Sequence, residues 1–464
     1  MRKQAMAAMA VVFVLHALSG AMASERSVVM GKERSDIPTG RAQLTEWLDA
    51  AREERSANPE DVDAAMRLAR LTYEAGDFDG AWGLLNGLVA GSDPDVKALM
   101  LAARTEYLLG HYDRAEELLG RVLANEPDDS SALRLLALVY YQTNRYDKCR
   151  ALPLVAENVR FPHLDLMLAF DDQPYRAEWQ TGDETEVPFL ATDPLPVVEV
   201  VVNGRRVTAL IDTGGDTFVL DPGVAEELGI EIVASMTGMF AGGMEAEVGL
   251  ARAKSLRLGG VTLRSVPIAV LPTASMELGG HRLEGIVGTQ VLKQFVSTLD
   301  YPNGRLVLRD PGGETAAAFR EGHAERVLDE VPFYLDSTHF LLAHGSLNGF
   351  DGLLFHVDSG LAGEPAFAAP RQTLEYVGIP VPEVEVRGDV IGGGGGGFAT
   401  GTFSIAELGL GDLLQSDLVG SFGSLPPQSF MMHGFIQDGL ISHNFLRAYS
   451  WTLDFDRMMM VFAE

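Results

Sequence analysis

Cysteine is nearly absent: Cys149 is the single one in 464 residues. One thiol forms no internal disulfide and supplies no multi-cysteine zinc site. It reads as a small buried hydrophobe. Basic residues are also few, 36 Lys and Arg against 65 Asp and Glu, for a net charge of −29. A chain this acidic repels phosphate backbones and anionic lipid, which argues against nucleic-acid binding and polybasic membrane attachment. Beyond the first twenty residues no apolar run approaches the length of a membrane span, so no membrane association is expected once the leader is removed. Gly-x-Ser-x-Gly and His-Glu-x-x-His are missing, and with them the usual signatures of serine and zinc hydrolases. The glycine run Gly392–Gly397 lacks the Lys-Ser/Thr of a phosphate loop and reads as a mobile loop over a cleft. Met431, Met432, His433, His443 and Met458–Met460 read as strand core and surface rather than a soft-metal site. Neither metal nor cofactor is expected.

The N-terminus carries an address. Arg2 and Lys3 precede an apolar run from Ala5 to Leu18, followed by Ala21-Met22-Ala23. Charged flank, short apolar core and small-x-small site make a secretory signal peptide over residues 1–23. The expectation is an exported protein, periplasmic or secreted, with a linker over 24–40.

Residues 60–150 repeat with a step of 34: Gly76, Gly110 and Asn144; Phe78, Tyr112 and Tyr146; Ala81, Ala115 and Cys149. Apolar residues between these marks keep helical spacing, as in Ala115, Leu118, Leu119 and Val122. Gly or Asn in the left-handed conformation closes the first helix of each pair, and the aromatic two residues later opens the second. A flanking helix is expected near Ala42–Arg55, and Pro153 ends the array. The pattern resembles the tetratricopeptide repeat, as three units within a helical domain at 41–165. That resemblance implies either a surface for a protein partner or a brace for the C-terminal half of the chain.

After a linker at 166–185 the pattern becomes short β runs, and these are duplicated. Glu186-Val187-Pro188-Phe189 recurs as Glu330-Val331-Pro332-Phe333, Asn203-Gly204 as Asn348-Gly349, and Asp212-Thr213-Gly214 as Asp358-Ser359-Gly360, at steps of 144 to 146. Gly285-Ile286-Val287-Gly288 matches Gly439-Leu440-Ile441-Ser442 at a step of 154. Two lobes are expected, 186–310 and 330–464, joined by a linker at 311–329. In each, an apolar strand runs straight into an aspartate, a residue strands disfavour. A two-fold relation between lobes brings Asp212 and Asp358 together, where two carboxyls share one proton and work as acid and base. His356, two residues before Asp358, reads as a structural histidine.

These motifs resemble the two-lobed aspartic proteases with retroviral-type signatures. The resemblance implies an α+β multidomain chain, a helical solenoid followed by an all-β duplicated acid-protease double barrel. It makes Asp212 and Asp358 the catalytic pair, with Thr213, Gly214, Ser359 and Gly360 as their support. It places a flap between Met236 and Gly249 with Gly242 and Gly243 at its bend. The implied activity is endopeptidase cleavage of a protein or peptide substrate, without metal or covalent intermediate. A catalytically inactive peptide-binding scaffold using the same cleft and the repeats is the alternative. The sequence departs from the family at Gly215 and Leu361, where Ala, Ser or Thr is usual, and at Ser442, where Gly is usual and a side chain is expected to crowd the second aspartate loop.

Overall fold

The computed structural model describes residues 10–12, 38–91, 93–153, 163–240, 244–273, 276–322, 327–386, 390–392, 399–425 and 433–464. A helical half precedes a strand-rich half, the architecture expected of repeats followed by an acid-protease fold. Helices α1 (Arg41–Ala57), α2 (Val62–Glu74), α3 (Phe78–Val89), α4 (Val96–Leu108), α5 (Tyr112–Asn125), α6 (Ser130–Gln142) and α7 (Tyr146–Cys149) form the array. Asp61, Asp95 and Asp129 cap α2, α4 and α6, each side chain accepting backbone N–H bonds from the first turn. These three also keep the 34-residue step. Gly76, Gly110 and Asn144 close the same helices at φ of 86°, 77° and 56°. Ala81, Ala115 and Cys149 are buried where paired helices touch, and burial pushes the Cys149 thiol up to about 11.

The repeat turns face the strand-rich half. A Cβ on Gly76 would stand 2.9 Å from Leu354, and one on Gly110 2.7 Å from Met458. At the third turn the Asn144 side chain donates to Gln294 at 2.9 Å. Leu250, Tyr334, Leu342, Leu354 and Phe435 of the β half join the apolar core of the helices. The array therefore lies edge-on against both lobes, so it braces the β half, one of its two expected roles. Among the described residues no helix is long and apolar enough to cross a membrane.

In the first lobe, β1 (Glu184–Ala191), β2 (Val197–Val202) and β3 (Arg205–Ile211) form a meander, and β4 (Phe218–Leu220) follows the Asp212 loop. Strands β5 (Ile232–Phe240) and β6 (Met244–Leu258) make a long hairpin, followed by β7 (Val261–Val270), β8 (Gly285–Val287), β9 (Val296–Asp300) and β10 (Arg305–Arg309). The second lobe repeats the plan with β11 (Val327–Pro332), β12 (Phe340–Leu347), β13 (Phe350–Val357), β14 (Phe367–Ala369), β15 (Ala399–Leu410), β16 (Leu413–Phe422), β17 (Gly439–Ile441), β18 (Ser450–Asp454) and β19 (Met459–Ala463). The order β11-β19-β18-β9-β10-β1 ties the lobes into one antiparallel sheet. At its centre Thr298 pairs with Thr452, their hydroxyls 2.7 Å apart. These two residues are 154 apart in the chain, the step of the late repeat, so the approximate two-fold passes between them.

Two segments read as linkers are partly structured. The first contains α8 (Leu164–Leu168) at its start and the strand Arg176–Trp179, which pairs with β7. The second contains a helix, Glu314–Gly322, anchored by Ala316 in the core and by Arg320, whose guanidinium grips Asp454 at 2.7 and 2.8 Å. Thr315 adds bonds to Asp183 and Arg320 a further one to Asp456, so a set of tertiary contacts orders a short helix that its sequence alone does not announce.

Candidate active site

Strand β3 delivers Asp212 and strand β13 delivers Asp358. Each sits beside a parallel partner strand, β8 or β17. The Asp212 amide donates to Val287 O and the Asp358 amide to Ile441 O, both at 3.0 Å. The two loops thus leave their sheets at equivalent points and meet at the two-fold. Thr213 N donates to Ser359 Oγ at 3.0 Å, and Ser359 N returns a bond to Thr213 Oγ1 at 2.9 Å. Thr213 Oγ1 donates onward to Val357 O at 3.1 Å and Ser359 Oγ to Ile211 O at 3.4 Å. This reciprocal lattice fixes one loop against the other.

Glycine follows in both loops because the opposite carboxyl occupies the space. A Cβ on Gly214 would stand 2.5 Å from Asp358 Oδ1, and one on Gly360 would collide with the Asp212 carboxyl. Gly214 N donates to Asp212 Oδ1 at 2.8 Å, and Gly360 N to Asp358 Oδ1 at 2.7 Å. All six residues of the two triplets, candidate pair and support alike, therefore come together. Gly242 and Gly243 lie outside the described residues, as does most of the glycine run. The β5–β6 hairpin that carries them is present, paired from Ile232–Ala251 to Phe240–Met244. Its residues Met236 and Val248 pack with Leu210, Val219 and Ile286, and with Ala362 of the second aspartate loop. The hairpin thus lies over the aspartates, with an apolar lining between.

Both aspartates are wholly buried. Burial, then the charge of its neighbour, raises Asp212 well above the carboxylate range. Burial also raises Asp358, to about 6, while the Gly360 amide and the neighbouring Asp212 carboxyl work to lower it. The two therefore titrate as one unit that holds a shared proton. The Oδ2 atom of each is buried and takes no hydrogen bond from the described residues. Two inward oxygens of a half-protonated pair are what a hydrolytic water requires: one to take its proton, the other to donate to a carbonyl.

Gly215 and Leu361 supply amide groups that help hold the carboxylates down, so backbone replaces the usual side-chain support. The expected crowding by Ser442 does not occur. In the first lobe a Cβ on Gly288 would press on Asp216 O at 2.5 Å, because the loop is short. Phe218 follows Asp212 by six residues, whereas the equivalent Phe367 follows Asp358 by nine. The longer loop makes room, and Ser442 Oγ donates to Pro365 O at 2.7 Å and caps the next helix. His356 is buried against Phe340, and burial lowers it well below the usual histidine range, so it is neutral. His433 and His443 lie apart, the first against Asp336 and the second against Tyr301.

The residue that sequence reading passed over is Asp216. It lies four residues after Asp212, is 6% exposed, and pairs with His163 at 2.9 Å. Burial works to raise its pKa, but His163 outweighs it and holds the carboxyl below the usual range. Tyr141 donates to the same carboxylate at 3.4 Å. A signal was available: Tyr73, Tyr107 and Tyr141 also keep the 34-residue step, and all three reach the β half.

Comparison with known proteins agrees with this layout. Residues 198–291 match the aspartyl protease family model, and residues 100–151 the tetratricopeptide repeat model. DNA damage-inducible protein 1 of Neurospora crassa is 27% identical over 154 residues, 33% of either chain. The protein of that name from Chaetomium globosum is 25% identical over 133 residues, 28% of either chain. The chain thus spans about a third of the length of these curated relatives. Among solved structures, a retropepsin-like aspartic protease from Rickettsia conorii is 16% identical, covering 29% of this chain and 94% of its own, with a TM-score of 0.21. MamA protein is 16% identical, covering 32% of this chain and 82% of its own, with a TM-score of 0.26. The strand-rich half of this chain thus contains a stretch similar to aspartyl proteases, in its first lobe, and the helical half before it a stretch similar to tetratricopeptide repeats.

Proposed function

We propose that the protein is an aspartic endopeptidase in which Asp212 and Asp358 activate a water for attack on a peptide bond. The observation that carries this reading is the pair itself: two buried carboxyls at the meeting of two interlocked, duplicated loops, under a hairpin with an apolar lining. In the free enzyme the pair carries one proton: the ionised carboxyl takes the water's proton, while the protonated one donates to the carbonyl oxygen. The apolar lining from Leu210, Val219, Val248 and Ile286 favours apolar side chains beside the scissile bond.

The test is the pH profile of kcat/KM on an unfolded protein substrate. The active form carries one proton. Activity therefore rises as pH climbs through about 6, where the pair gives up its first proton, and falls again when the second is lost at higher pH. A profile flat across this range removes the shared-proton mechanism.

We also propose that the protein is exported, on the strength of Arg2, Lys3, the apolar run to Leu18 and Ala21-Met22-Ala23. N-terminal sequencing of protein recovered from its native host is expected to begin at Ser24. A chain that still begins at Met1 removes the reading.

A further inference from the structure

The two ends of the cleft differ although the lobes are duplicates. At the Asp216 end, Tyr141 and His163 of the helical half cover the carboxylate. The wall continues upward: Phe170 lies in the same apolar cluster as Leu250 of the hairpin, with Met236 packed against it. It continues across to the second lobe, where Gln142 donates to the carbonyls of Ser337 and Thr338 at 3.1 Å each. Helices, aspartate loop and hairpin strand are therefore joined without a gap in contacts on this side.

The pseudo-two-fold relates this end to the other. The counterpart of Ser337, at the 144-residue step, is Asp193, and it is exposed. The counterpart of the Asp216 stretch is the longer loop carrying Glu364, also exposed. Asp193, Asn444 and Arg447 there line an open pocket of about 560 Å³, and Asn444 donates to Glu364 O at 2.7 Å. Every residue lining that pocket belongs to the β half, none to the helical array. Among the described residues, one end is covered by the helical half and the other is open.

We infer that the helical half closes the cleft at the Asp216 end, so that the internal bond it cuts lies close to one end of the substrate chain, which is admitted from the Glu364 end. A polypeptide running through the cleft in both directions is excluded by the Tyr141–His163 wall. This rests on the proposed peptide cleft, and it assigns the repeats a role in limiting substrate length that needs no separate partner.

Binding to the full-length wild-type chain tests it, without requiring turnover. The probes are three peptides built around a Phe–Leu hydroxyethylene isostere: a short core, the core with four alanines added only before it, and the core with four alanines added only after it. Calorimetry is expected to give equal or tighter binding for one extension and a loss of about tenfold or more for the other. Equal binding of both extensions overturns the wall and leaves the cleft intact. Failure of even the short core to bind overturns the peptide-cleft reading, and the wall with it.

Discussion

Asp212→Asn and Asp358→Asn each lower hydrolysis of an unfolded protein by about 10²–10⁴-fold, the range for losing a positioned acid or base. The fold survives both changes. Asparagine keeps the carbonyl oxygen that accepts Gly214 N or Gly360 N, so the turn bond of each loop remains. Its size matches, so the interlocking Thr213 and Ser359 bonds are undisturbed. The stability sign comes from the raised pKa values. A buried acid whose folded pKa lies above its unfolded one favours the folded state at low pH, and that favour is lost as pH rises through the folded pKa. Neutral asparagine has no such loss, so either variant unfolds at the same or higher temperature than wild type above about pH 6. Loss of cleavage with retained Tm, read by gel assay and calorimetry, is the expected pair of results. Equal cleavage by all three proteins shows that another group does the chemistry. A wild type that binds peptide, leaves it intact and is matched by both variants is a peptide-binding protein instead.

The legible part of the sequence was periodic or duplicated. The 34-residue step fixes Gly76, Gly110 and Asn144 as left-handed helix ends because few other residues tolerate that conformation. The recurring triplets locate Asp212 and Asp358 because a two-fold maps one onto the other. The rest depends on how the halves dock. Asp216 meets Tyr141 across 75 residues and belongs to neither repeat pattern by itself. Ser442 looked obstructive because a motif records residue type but not the length of the loop packed against it. The linkers concealed a helix and a strand because their order comes from tertiary contacts, such as Arg320–Asp454 and the pairing of Arg176–Trp179 with β7, rather than from a local pattern.

Arg41→Ala lowers the unfolding free energy by about 3–5 kcal/mol, the cost of stranding one member of a buried ion pair. Arg41 opens α1, outside the repeats, yet its side chain is only 10% exposed and its partner Asp438 is fully buried. Nε donates to Asp438 Oδ1 at 2.8 Å, Nη2 donates to Oδ2, and Nη2 also reaches Ala75 O at 3.2 Å. Burial works to neutralise Arg41, but Asp438 overcomes it and raises its pKa. Without the guanidinium, Asp438 keeps the bond from Leu354 N at 2.8 Å, too little for a charge at that depth. Arg41→Met with Asp438→Leu removes both charges and is expected to recover most of the loss, which separates charge stranding from lost packing. Urea titrations of wild type, Arg41→Met, Asp438→Leu and the double variant close the cycle, and because the pair is buried the result is nearly independent of salt. A single-variant loss below about 1 kcal/mol would place the pair with ordinary surface bridges. The position gives the loss a functional edge. Asp438 immediately precedes β17, whose Ile441 carbonyl receives the Asp358 amide. The bond that fastens the first helix to the second lobe therefore also steadies the strand holding one of the two aspartates. Arg41→Ala is thus expected to reduce kcat at temperatures well below its own unfolding, and the double variant to restore it.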